Sequence, residues 1–264
     1  MRLAWVTCRE LPEPDHDEEL ALSYLRENGF AASAEPWDDD VRWESFDAAI
    51  LRSCWNYYEQ PKAFLHWVDR ASQATRLLNP APILRWNVDK IYLFDLEQKG
   101  VPVVPTAQEI NLDWQEFVIK PRVSAGSYQT RVYTREQIDD AVAFMAEVEN
   151  PIVQPYLSSV EGEGERSIIW INGEFTHAIR KNPRFDNDSE AVSEAYVPSS
   201  EEMDIAERAL NVAPAGAKYA RADVMRDDDG LLRISELELI EPSLFLTQHP
   251  AALSHLANAI RSTN

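Results

Sequence analysis

The run from Arg221 to Pro242 constrains the fold more than any other stretch of the chain: Arg-Ala-Asp-Val-Met-Arg-Asp-Asp-Asp-Gly-Leu-Leu-Arg-Ile-Ser-Glu-Leu-Glu-Leu-Ile-Glu-Pro. Period-two alternation along Ile234 to Ile240 and an Asp-Gly pair at 229–230 predict two short antiparallel strands joined by a tight turn. With Asp229 and Gly230 as the loop, Asp228 faces Leu231, and the register continued outward sets Asp223 opposite Glu236 and Arg221 opposite Glu238. Alternate side chains point to one face, so these four residues share it. Opposed like charges destabilise a ladder unless something neutralises them. Three carboxylates are hard oxygen donors that suit Mg2+ beside phosphate groups. A solvated acidic face is the other reading, because Leu237 and Leu239 already give the hairpin an apolar side.

The chain has 264 residues, enough for one large domain or two to three small ones, and its 45% apolar and 27% charged content is globular. A formal net charge of -20 argues against nucleic acid or an anionic membrane as the main partner, since phosphates are repelled at long range. Local basic residues can still bind a small phosphate. Two cysteines, Cys8 and Cys54, make no disulfide framework, which points to a reducing, cytoplasmic setting. No run approaches the roughly 20 apolar residues that a spanning helix needs, so a soluble protein is expected.

From the N-terminus, Leu3 to Val6 and Phe30 to Pro36 read as strands, as does Phe46 to Leu51. Helices are expected at Asp17 to Asn28, closed by Gly29, and at Pro61 to Ala74. This order predicts a small α/β domain with a parallel sheet, ending near Asn79-Pro80. Ligands in such sheets sit beyond the carboxyl ends of strands, where Thr7 to Glu10 and Arg52 to Tyr57 fall. Arg9 and Arg52 there suit a bidentate clamp on a substrate carboxylate, while Trp55 and Tyr57 suit loop packing equally well. Neither cysteine has a neighbour in sequence that would lower its thiol pKa.

Further on, Asn87 reads as the N-cap of a helix ending at Gly100. Lys90 then lies in the first turn, a poor place for a cation unless it reaches a bound anion. Glu116 to Pro121 is a strand ending in Lys120. The small-residue loop after it, with Ser124, Gly126 and Ser127, either brings backbone N-H groups to phosphate oxygens or is a plain hairpin turn before a strand at Gln129 to Tyr133. After a helix at Glu136 to Glu147, Gln154 and Pro155 offer backbone groups to a planar base, with Tyr156 and Leu157 as apolar walls. The acidic, Gly-broken loop from Ser158 to Glu165 offers carboxylates to ribose hydroxyls. Strands at Arg166 to Ile171 and Glu174 to Arg180 turn at Asn172-Gly173. Arg180 and Lys181 end the second strand, and a mobile loop is expected from Asn182 to Ser193. Helices are expected at Glu201 to Leu210 and Pro250 to Arg261. No internal repeat or low-complexity linker breaks the chain, so interlocked domains are expected, and Trp37, Trp43 and Phe46 suit either core or interface.

Taken in order, Asn-Val-Asp-Lys90, Lys-Gly-Val-Pro-Val-Val-Pro-Thr106, Phe-Val-Ile-Lys120-Pro, Val-Gln154-Pro-Tyr, Arg221-Ala-Asp223 and Glu236-Leu-Glu238 resemble the ATP-grasp superfamily of carboxylate–amine ligases. That superfamily includes glutathione synthetase, D-alanine–D-alanine ligase and the ribosomal-protein glutamate ligases. The Arg-Glu-Leu-Pro start and the Leu-Arg-Ser-Cys-Trp-Asn-Tyr stretch look most like the group that includes the D-cycloserine-forming ligase. The resemblance implies an α/β and α+β, three-part ATP-grasp fold: an N-terminal α/β domain over 1–85, a small central lid over 86–155, and a C-terminal antiparallel-sheet domain over 156–264.

It also implies roles. Lys90 and Lys120 touch the phosphates of ATP, Ser124 to Ser127 cover them, Gln154 to Leu157 cup adenine, and Glu163 or Glu165 takes the ribose. Asp223, Glu236 and Glu238 look like ligands of Mg2+ or Mn2+, although many members carry Asn at the position of Glu238. Arg221 is placed like the cation that stabilises the transferred phosphoryl group. Arg180, with Arg9 and Arg52, is the candidate for holding an amino-acid-like substrate. The implied activity is ATP- and Mg2+-dependent formation of a C–N bond, within one molecule or between two, by a monomer or homodimer. A nucleotide-binding scaffold without activity and a small-molecule kinase are the alternatives.

Overall fold

Three sheets carry the chain in the computed structural model, which describes residues 1–181 and 192–262. The first sheet is parallel, ordered β2-β1-β3-β4, from β1 (Arg2–Thr7), β2 (Ala31–Pro36), β3 (Ala48–Ser53) and β4 (Arg76–Leu78). Its crossovers are α1 (Glu18–Glu27) and α2 (Pro61–Ala74). Gly29 follows α1 with φ 87°, the left-handed conformation that glycine adopts without strain after a helix. The strand β4 was not expected; only three residues long, it is too short to show a period.

Two short helices follow, α3 (Ala81–Asn87) and α4 (Tyr92–Gln98). Asn87 therefore ends a helix and does not cap one, which corrects the expectation above. Its amide is committed elsewhere: Nδ2 donates to Leu237 O and Oδ1 accepts from Leu239 N, both at 2.7 Å.

The second sheet, β6-β5-β7, is antiparallel and is formed by β5 (Glu116–Pro121), β6 (Arg131–Thr134) and β7 (Pro151–Pro155), with α5 (Ile138–Glu147) against it. The third is also antiparallel and ordered β11-β10-β8-β9. It contains β8 (Glu165–Ile171), β9 (Glu174–Lys181), β10 (Tyr219–Arg226) and β11 (Leu232–Glu238). A short α6 (Ser159–Gly162) lies in the acidic loop before β8, and α7 (Ser200–Leu210) packs on β10 and β11. Of the loop expected from Asn182, residues 182–191 lie outside the described residues.

The last helix, α8 (Ala252–Arg261), returns to the first sheet. Leu253, Leu256 and Ile260 join one buried cluster with Leu3, Trp5 and Leu25 on one side and Ile169, Ile171 and Tyr219 on the other. Trp37 and Trp43 are core residues beside α2. No helix among the described residues is long and apolar enough to cross a membrane.

Candidate active site

The hairpin of β10 and β11 pairs as expected where it matters: Asp223 faces Glu236 and Arg221 faces Glu238. It arrives there by a different route. Asp227 N-H donates to Leu231 O, so the loop is Asp228-Asp229-Gly230, one residue longer than expected. A bulge at Ser235 then takes up that extra residue, because Val224 pairs with Ile234 while Asp223 pairs with Glu236. The two departures cancel, and all four charged side chains keep one face. Ser235 itself donates to Glu165 Oε1 at 2.6 Å.

That face looks into a cleft of about 620 Å³. Lys120 from β5, Gln154 from β7, Glu165 from β8 and Lys181 from β9 line it, together with Lys90 and the loops at 55–58 and 124–128. Lys90 Nζ donates to Ser124 O at 2.8 Å and Oγ at 3.0 Å, and pairs with Glu236 Oε1 at 3.1 Å. Arg221 bridges Asp223 at 2.8 Å and Glu238 at 2.5 Å. Lys181 bridges Glu165 at 2.7 Å and Asp223 at 2.9 Å.

The electrostatics follow from burial against pairing. Burial raises the Asp223 carboxyl, but Arg221 and Lys181 overcome it and hold the group well below the usual carboxylate range. Burial likewise works against ionised Glu236, and Lys90 and Lys120 hold it down. Glu238 goes the other way: burial, reinforced by Glu236 and Asp223 against the pull of Arg221, pushes it up to about 8. Burial also pushes Glu241 up to about 7 and pulls the Lys120 ammonium below its ordinary value.

Among the described residues, the cleft is lined by four cations and six carboxylates. A polyphosphate could enter so acidic a site only with added positive charge. The donor chemistry of Asp223, Glu236 and Glu238 fits a divalent cation of the Mg2+ type. Each of these carboxylates is turned to a lysine or arginine here, and no group of three or more such donors among the described residues stands ready around one point.

At the far end, Gln154 Nε2 donates to Thr106 Oγ1 at 3.0 Å, and Pro155, Tyr156 and Leu157 form a partly apolar wall suited to a planar ring. Tyr156 donates to Glu161, and burial with that bond pushes its hydroxyl up to about 12. Over the middle, Ser124, Gly126 and Ser127 line the cleft, with φ of 58° at Gly126 and 61° at Ser127. The Tyr128 ring meets Tyr58 at 4.5 Å, so this loop is drawn against the N-terminal unit.

Four expected residues are not brought to the cleft. Arg52 lies inside β3, 1% exposed, with its guanidinium over Trp5 and Tyr219. Arg9 is exposed and pairs with Asp39 at 2.8 Å. Arg180 is exposed on the opposite side of β9 from Lys181. Glu163 is held outside by Arg166 at 2.5 Å and Arg226 at 3.6 Å, which leaves Glu165 as the one inside. Lys181 is the site residue that sequence reasoning passed over. A register shift at Ile169/Trp170 defeats parity counted from the Asn172-Gly173 turn, and only the direct pairing of Lys181 with Glu165 reveals its face.

The family described as D-cycloserine synthetase DcsG, N-terminal domain, matches residues 3–79. The chain is 32% identical to the cycloserine biosynthesis protein DcsG of Streptomyces lavendulae over 93% of each chain. It is similar to the crystal structure of D-cycloserine synthetase DcsG, with TM-score 0.87, 30% identity and 98% of each chain covered. It also resembles the ATP-grasp ligase PsnB complexed with a phosphomimetic variant of its minimal precursor, Mg and ADP. There the TM-score is 0.66 at 17% identity, over 98% of this chain and 97% of that one.

Proposed function

This chain belongs to the ATP-grasp ligases, near the D-cycloserine synthetase group, and from that premise we propose that it activates a carboxylate of a small amino-acid-like substrate with ATP and joins it to a nitrogen. The observation that carries the reading is the convergence of Lys90, Lys120, Lys181 and Arg221 with Asp223, Glu236 and Glu238 in one cleft.

In the first step the γ-phosphoryl group passes to a carboxylate oxygen and ADP leaves. In the second, the lone pair of a neutral nitrogen forms the C–N bond, the C–O bond to phosphate breaks, and the nitrogen's proton leaves with phosphate or water. Both steps concentrate negative charge on phosphoryl oxygens, and preorganised cations stabilise it. Lys90 and Lys120 are assigned to the phosphates, and Arg221 to the group in transfer. Lys181 is assigned to holding Asp223 and Glu165 in place until the nucleotide arrives. Asp223, Glu236 and Glu238 would hold Mg2+, which when bound neutralises phosphate oxygens. Gln154 to Leu157 take the adenine and Glu165 the ribose. The loop from Ser124 to Tyr128, drawn against Tyr58, keeps water from the activated carboxyl group. The relatives named for cycloserine favour ring closure within one molecule.

The test is ADP and phosphate release from Mg-ATP against pooled D- and L-amino acids and ureido- or aminooxy-substituted serines. We expect one pool to stimulate release, and Asp223→Asn or Lys120→Ala to cut it on the order of a hundredfold with the fold intact. Full activity in both variants would remove the site assignment. Tight Mg-ATP binding with no release from any pool would favour a binding protein, and a stable phospho-product would favour a kinase.

A further inference from the structure

Lys90 is tied to the loop over the cleft by more than its ammonium group. Its backbone N-H donates to Arg122 O at 2.9 Å, while Nζ donates to Ser124 O at 2.8 Å and to Ser124 Oγ at 3.0 Å. The residue before it completes a clasp. Arg122 Nε donates to Asp89 Oδ1 at 2.8 Å and Nη2 to Oδ2 at 2.5 Å, a bidentate fork. Asp89 Oδ1 also accepts from Ile91 N at 2.9 Å, an Asx turn that leads into α4. On its other side Arg122 N-H donates to Asn150 O at 3.2 Å, which fixes it to the turn before β7.

The loop is therefore held at its root and open at its tip. Ser124 is buried, and Val123 and Ala125 pack against the N-terminal core. Residues 126–129 are exposed, with left-handed φ of 58° at Gly126, 61° at Ser127 and 48° at Gln129. Neither Asp89 nor Arg122 lines the cleft, and the two side chains are 26% and 24% exposed. An ion pair so placed adds little to stability. What a two-point fork supplies, and a single contact does not, is a fixed orientation. Burial works against ionised Asp89, and the Arg122 fork overcomes it, holding the carboxyl below its ordinary value.

Resting on the ligase reading above, we infer that Asp89 and Arg122 are a positioning pair: by locking the turn at Lys90 to the root of the 122–130 loop, they set Lys90 at the phosphates and leave only the tip at 126–129 to move when nucleotide enters. Lys90 Nζ then exchanges Ser124 for a phosphate oxygen while its backbone stays bonded to Arg122. Both residues act through Lys90 and the loop, and neither touches the nucleotide.

The experiment compares wild type with Asp89→Asn, Arg122→Gln and the double variant. Asparagine keeps a side-chain oxygen for Ile91 N-H, so the turn into α4 is retained while the fork is lost. Amide hydrogen exchange is followed on nucleotide-free protein, and affinity for Mg-AMPPNP is measured by calorimetry. Exchange is expected to rise about tenfold in peptides covering 88–92 and 122–125 and to stay unchanged elsewhere, with melting temperature preserved. Each single variant is expected to bind Mg-AMPPNP about tenfold more weakly, and the double variant no more weakly than either. Faster exchange with unchanged affinity reduces the clasp to scaffolding and overturns the inference, as does a multiplied loss in the double variant, which would mean that the two residues act separately. Exchange that rises throughout the chain, or nowhere, overturns it too. Wild type that binds no Mg-AMPPNP sinks the ligase reading and the role of the pair with it, whereas wild type that binds it as tightly as the variants do sinks the pair alone.

Discussion

Arg180 and Lys181 are neighbours in sequence and opposites in space, and the difference decides which can act. Lys181 bridges Glu165 and Asp223 inside the cleft, whereas Arg180 is exposed on the other side of the strand. Lys181→Ala leaves buried Asp223 with one cation fewer and should lower ADP release on the order of tenfold or more, while Arg180→Lys should leave the substrate KM unchanged. A raised KM in Arg180→Lys would return that residue to the site. His177 is the other residue whose surroundings set a measurable property. It is 1% exposed, its Nε2 has no hydrogen-bond partner among the described residues, and its ring meets His249 at 4.8 Å. Burial, then His249, pushes its pKa down to about 4, below the roughly 6.5 of an unfolded chain. The unfolded state therefore binds the proton more readily. The stability due to neutral His177, at most about 3 kcal/mol, is fully present above pH ~6.5 and lost as pH falls toward 4. His177→Phe should flatten the fall of melting temperature over that window; an unchanged slope would show that other groups carry the acid sensitivity.

At the scale of elements, the edge strand β11 carries two of the three clustered carboxylates, and edges need pinning. Leu237 O and Leu239 N are satisfied by Asn87, Leu237 N donates to Tyr92 Oη at 3.0 Å, and Ile234 N donates to Pro102 O while its carbonyl accepts from Val104 N. The helix ending at Asn87 thus completes the ladder from outside. Asn87→Ala strips a buried donor and a buried acceptor of their partners, which should cost about 2 to 4 kcal/mol in urea unfolding and slow turnover together. Loss of stability with turnover untouched would mean that the carboxylates do not depend on this brace. The hairpin itself teaches a lesson about turns. Asp-Gly by itself predicts a two-residue loop, but Gly230, at φ 78°, closes a three-residue one, and the bulge at Ser235 restores the pairing.

Over the whole molecule, the chain's two ends share one core, so the first sheet does not stand alone. Leu256 of α8 is fully buried among Leu3, Trp5, Ile169 and Tyr219. Asn79 adds polar ties to Tyr219 O and Leu239 O, and the Tyr219 hydroxyl lies within 3.0 Å of Leu51 O, Leu78 O and Ile240 O. Leu256→Ala should cost about 2 to 5 kcal/mol and lower a single unfolding transition for the whole chain. Two separate transitions, with only one displaced, would show that the sheets melt independently. The sequence alone determined the strands and helices of regular period, the resemblance to a ligase family, and the shared face of Arg221, Asp223, Glu236 and Glu238, since period and turn chemistry are local. Only the tertiary structure decided that Arg52 packs inward on Trp5 and Tyr219, that Lys181 and not Arg180 faces the cleft, and that Asn87 braces a strand 150 residues away. The physical reason is the same in each case. A bulge moves strand parity by one residue, and burial depends on neighbours distant in sequence, so neither can be counted along the chain.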